Sequence, residues 1–139
     1  MPVIQFSKAD VLRSRTMDAA WASFTISQIQ GPTKNAAQDG YNYVVFFTLK
    51  DWKANPELDG KEFKRTFSSK AMGMMIPLVA AARNVDVNTI QDGFNFDTDE
   101  LLGKSVDGKI SIDMFEGRPV NKVEEYLPYT KGVNMQPAF

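Results

Sequence analysis

The sequence predicts a mainly β domain of five strands, with one helix between the third and the fourth. Three observations predict it. Five runs read as strands, with period-two alternation cleanest from Ala20 to Gln30, and turn-rich segments such as Gly31 to Gly40 and Asn55 to Gly60 separate them. One long stretch, from Lys70 to Arg83, instead carries apolar residues at helical spacing. The chain has 139 residues, 43% of them hydrophobic, which is enough for one domain with its own core.

Residues 1–18 alternate charged and small side chains without a period and read as an N-terminal arm, mobile or loosely docked. The domain is expected over 19–129. Its first strand, Ala20 to Gln30, sets Ala20, Ala22, Phe24 and Ile26 on one side and Trp21, Ser23, Thr25 and Ser27 on the other. Gly31 to Gly40 is polar and rich in turn residues, so it reads as a loop. Tyr41 to Lys50 is the second strand, with Tyr41, Tyr43, Val45, Phe47 and Leu49 facing the interior. Asn55 to Gly60 turns the chain into the third strand, Lys61 to Phe67.

Ser68 or Ser69 can cap the helix, whose stripe is Met72, Met75, Ile76, Val79 and Ala80, a core face. Pro77 lies inside it and predicts a kink. Asp97 to Leu102 reads as a single helical turn ending at Gly103, with its acids stabilising the helix start. Lys104 to Phe115 and Val120 to Leu127 complete the strands around a Glu116-Gly117-Arg118-Pro119 turn. Residues 130–139 read as a flexible tail.

Composition removes whole classes of chemistry. With neither Cys nor His, the chain has no disulfide, thiolate nucleophile, imidazole base or usual zinc ligand. The N-terminus lacks a charged region ahead of a long apolar run, and no apolar segment approaches the roughly 18 residues of a membrane span. A soluble intracellular protein without a membrane partner is therefore expected, and no cofactor is implied. Net charge is only −1, but it is polarised: residues 1–83 carry 11 Lys and Arg against 7 acids, and 84–139 carry 5 against 10.

This element order is that of an OB-fold, a five-stranded Greek-key barrel. Leu101-Leu102-Gly103-Lys104-Ser105 through Phe115-Glu116-Gly117-Arg118-Pro119-Val120-Asn121-Lys122-Val123, with Tyr126-Leu127-Pro128 after it, resembles the last two strands of bacteriophage-encoded OB-fold single-stranded-DNA-binding proteins. Tyr43 to Phe67 is similar to that family's central hairpin, which supplies much of the DNA-binding face. The likeness covers residues 20–128. It implies single-stranded DNA as ligand, work in phage replication or recombination beside other proteins of those processes, and the cytoplasm of a bacterial host cell. Such proteins often end in an acidic tail; Val133 to Phe139 contains no acid, so that role is not assigned here.

Flat rings beside cations are what an unstacked strand needs. Alternation turns Phe46 outward beside Thr48 and Lys50, and sets Trp52 between Lys50 and Lys53. Tyr41 is open to either face, and Trp21 to a ligand contact or a place at the core rim. The third strand is ambiguous. Either Phe63 and Arg65 take the ligand side, with Phe67 closing the core through a bulge, or Lys64 and Thr66 do. Both arrangements present a cation, and Lys61 begins the same basic run. Lys34, Arg118 and Lys122 lie in or beside the two connecting loops.

The leading expectation is sequence-tolerant binding of single-stranded DNA with no catalysis. A protein-interaction or oligomerisation module is the alternative. Glu62-Phe63-Lys64 with Asp51 upstream also matches a metal-dependent nuclease core, which requires Asp51 and Glu62 to converge.

Overall fold

The computed structural model of the protein describes residues 3–129. After a short helix, α1 (Lys8–Ser14), come β1 (Ala20–Lys34), β2 (Tyr41–Lys50), β3 (Glu62–Ser68), α2 (Ile76–Arg83), β4 (Ser105–Phe115) and β5 (Arg118–Pro128). The strands form one antiparallel sheet in the order β3-β2-β1-β4-β5. Period-two alternation builds its inner face. Ala22, Phe24, Ile26, Val45, Phe47, Leu49, Phe63, Phe67, Val106, Ile110, Val123 and Tyr126 are all buried there. Phe24 meets Phe47 and Phe63 edge-on, with ring centroids 5.9 and 5.5 Å apart. Leu78 and Val79 of α2 join the same core. Gly108 leaves room for this packing, because a β-carbon there would lie 2.5 Å from Val123 Cγ1.

The closed barrel expected from the element order is not formed. Among the described residues no backbone ladder joins β3 to β5, so the sheet keeps two edges. Side chains occupy the gap instead. Arg65 Nη1 on β3 donates to the carbonyls of Val123 and Glu124 on β5, both at 3.2 Å. Thr16 Oγ1 donates to the Pro119 carbonyl, and Met17 exchanges hydrogen bonds with the Asn121 amide at 2.6 and 2.8 Å. The bonds from Arg65 and Thr16 occupy backbone carbonyls of β5.

Four local features differ from the sequence expectation. The arm is docked: Ser7 and Asp10 form a reciprocal capping box that starts α1, and Lys61 Nζ on the body donates to the carbonyls of Arg13 and Arg15. β1 runs on to Lys34, leaving only 35–40 as the loop. The kinked helix is instead a 3₁₀ segment, Ser69–Met75, followed by α2. Pro77 falls in the first turn of α2, where its missing N–H costs no hydrogen bond. The last hairpin turns on two residues, Glu116 and Gly117, both at positive φ (51° and 78°), so Arg118 and Pro119 already belong to β5. The acidic turn, Thr98–Leu101, and the Ser68 cap follow the sequence reading. No helix among the described residues is long and apolar enough to cross a membrane.

Candidate nucleic-acid interface

The outer face of the sheet is built by the residues that alternation leaves out of the core. On β2 these are Val44, Phe46, Thr48 and Lys50. A bulge at Ser27 keeps Ile26 inward, opposite Phe47, while Gln28 comes out opposite Phe46. Across β3, Phe46 faces Lys64, Thr48 faces Glu62 and Val44 faces Thr66. Phe46 is thus a half-exposed ring set between an exposed lysine and an exposed amide. Lys64 forms no ion pair among the described residues. On the same face Trp21, half-buried, lies opposite Lys109. Seven residues of β1 separate Trp21 from Gln28, which places the two rings about 20 Å apart along the strand.

Between them lies a polar nest. Ser23 Oγ donates to Asp107 Oδ1 at 2.7 Å, and both residues are buried although they point outward. Lys50 Nζ bonds Ser105 Oγ and sits 4.3 Å from the centre of the Tyr129 ring. The Tyr129 hydroxyl donates to Asp51 Oδ2 at 2.5 Å, and that bond pushes its pKa up to about 12. Lys50 is therefore on the expected face but engaged by the chain's own residues. The β4–β5 side of the face neutralises its cations: Lys109 pairs with Glu125 at 3.1 Å, and Lys122 with Asp113 and Glu124 at 3.4 and 3.7 Å.

The remaining expected residues, Arg118 aside, lie elsewhere. Phe63 is a core ring, 5% exposed, so β3 takes the arrangement with Lys64 and Thr66 outward. Arg65 points inward and across the seam rather than to solvent, and its guanidinium lies 5.2 Å from the Phe67 ring. Burying a phenylalanine and giving the arginine two carbonyls avoids an unpaired buried charge. Lys61 is also buried, and desolvation lowers its pKa. Trp52 is not the exposed ring expected from its lysine neighbours: it is half-buried against the core and lines a cleft with Leu12, Met17 and Leu58. Its neighbour Lys53 is exposed. Lys34 and Tyr41 pair with each other at the loop end of β1 and β2, on the face opposite Phe46. Arg118 stands exposed at the hairpin tip, opposite Phe115.

The structure therefore brings Trp21, Phe46, Lys50, Lys64 and Lys122 onto one face, with Arg118 at the hairpin end of the same face, and leaves the others off it. Sequence reasoning missed Lys109, which period-two alternation on β4 places opposite Trp21 once the register is known. It also missed Arg15, which lines a cleft of about 280 Å³ beside Lys61 and Lys64. Asp51 is engaged by Tyr129 while Glu62 is exposed opposite Thr48, and no three acids gather as metal ligands among the described residues. The tail expected at 130–139 lies outside the described residues. No protein-family model matches this chain, and no curated protein matches it either.

Proposed function

We propose that this protein binds single-stranded DNA without sequence preference, as an OB-type barrel left open between β3 and β5, and that it performs no chemistry on the strand. The observation that carries the reading is the Phe46–Lys64 pair, an outward ring in register with a cation that forms no ion pair among the described residues. A base can stack on the ring while the ammonium meets a phosphate, and neither interaction depends on base identity. Trp21 supplies a second ring on the same face. Protection of single strands during phage replication or recombination is the work that such binding suits.

Anisotropy of labelled oligo-dT, against a duplex of equal length, tests this. Single-strand binding that weakens with salt is expected, and Phe46→Ala should weaken it by the value of one stacked base, about 1–3 kcal/mol. Equal affinity for duplex, or an unaffected Phe46→Ala variant, defeats the reading.

A second reading, a protein-interaction or oligomerisation module, is favoured by the hairpin tip. Ile112, Met114 and Phe115 are 48, 62 and 64% exposed there. It predicts salt-insensitive self-association in sedimentation, lost on replacing Met114 and Phe115 with serine, and no response to oligo-dT.

A further inference from the structure

The gap between the two sheet edges is also a cleft, and its lining does not resemble a protein-docking groove. Arg15 and Lys64 flank it, Lys61 forms part of its wall, and the Thr16 hydroxyl and the Asn121 amide add polar groups. Three cations thus stand against one carboxylate, that of Glu62. Neither Arg15 nor Lys64 makes an ion pair among the described residues, whereas Lys109 and Lys122 on the same domain are both neutralised. Lys61 gives two of its three N–H donors to the arm carbonyls of Arg13 and Arg15, leaving one for a third partner. Two unpaired cations and a spare ammonium donor in a cleft of about 280 Å³ suit a phosphate group.

Lys64 belongs to both places. It lines the cleft and is the cross-strand partner of Phe46, so the outer face and the cleft meet at this side chain. We infer that a bound single strand passes from Phe46 over Lys64 and around the edge of β3, and sets a backbone phosphodiester in the cleft against Arg15. The N-terminal arm is then part of the binding surface as well as a brace for the fold. This rests on the single-strand reading above. Arg15 is the informative residue, since its guanidinium has no ion-pair partner among the described residues to lose.

The test is the salt dependence of oligo-dT anisotropy for the full chain and for Arg15→Gln and Arg15→Lys. Each phosphate contact on a single strand contributes about 0.7 to the slope of log K against log salt. Arg15→Gln should lower the slope by about 0.7 with an unchanged melting temperature. Its disadvantage against the parent should then shrink by roughly 2.6-fold between about 50 and 200 mM salt. Arg15→Lys should restore most of the slope. An unchanged slope in Arg15→Gln overturns the cleft assignment and leaves the single-strand reading standing. No binding of oligo-dT by the parent overturns both. If dTMP or inorganic phosphate raises the melting temperature of the parent but not of Arg15→Gln, while the oligo-dT slopes agree, the cleft takes a free phosphate compound and the strand path is wrong.

Discussion

Arg65 separates a structural cation from a ligand-binding one. Its Nη1 bridges the carbonyls of Val123 and Glu124, and its guanidinium lies over the Phe67 ring. Both bonds share one nitrogen and both are long, so together they are treated as one charge-assisted hydrogen bond, about 1.5–3 kcal/mol. The Val123 carbonyl keeps the Tyr126 hydroxyl as a partner and Glu124 is only half-buried, so no further penalty is added. Arg65→Met keeps an apolar side chain at this position but removes the guanidinium with its hydrogen bonds and its place over the Phe67 ring, and it should cost about 2 kcal/mol. Unfolding entropy of about 2.1 cal/mol/K per residue gives a domain of this size about 0.28 kcal/mol/K, so the melting temperature should fall by about 7 °C. Thermal melts by circular dichroism measure that fall. The same variant should keep the parent's slope of oligo-dT affinity against salt. An unchanged melting temperature with a slope lower by about 0.7 would show that Arg65 serves the strand, and the account of the seam would fail.

Two further expectations concern the core. Gly108→Ala drives a methyl group to within 2.5 Å of Val123 Cγ1 and 3.2 Å of Phe24, both buried, so a cost of about 1–3 kcal/mol is expected in urea unfolding. Trimming the neighbour in a Gly108→Ala, Val123→Ala double variant should cost at least about 0.5 kcal/mol less than the sum of the singles; strict additivity would contradict the clash. Burial pushes the Tyr126 phenol up to about 12, and its hydroxyl donates to the Val123 carbonyl at 2.7 Å. Because the folded-state value lies above the ordinary one, its contribution is complete below about pH 10 and is lost as pH rises toward 12, roughly 2–3 kcal/mol in all. Urea melts at increasing alkalinity should show a loss smaller by this amount in Tyr126→Phe than in the parent, since Tyr129 remains in both; parallel curves would refute it.

Much of the fold was legible because alternation is a local signal. The inward sets of β1 and β2 follow from period two alone, and the Ser68 cap and the acidic turn before Gly103 follow from local chemistry. What escaped was long-range. Nothing near Trp52 in sequence announces that the arm will cover it, since Leu12 and Met17 lie more than thirty residues upstream. The arm itself lacks an apolar period, and its one local clue, Ser7 three residues before Asp10, is a capping box with an aspartate in place of the commoner glutamate. The orientation of β3 was undecided between Phe63 with Arg65 and Lys64 with Thr66, because Arg65 finds its carbonyls on a strand 58 residues away. The open seam was hidden for the same reason. Element order is shared by closed and unclosed sheets, and only the pairing of edges distinguishes them.

That seam also bears on how copies of the molecule can meet. A fully closed barrel has no free strand edge to offer a neighbour, whereas this sheet has two, and unpaired edges are templates for intermolecular strand addition. Here side-chain hydrogen bonds from a guanidinium, a threonine hydroxyl and an asparagine amide stand where a β3–β5 ladder would run. Two of those three contacts reach residues 16 and 17, so a segment outside the sheet helps to occupy the open seam.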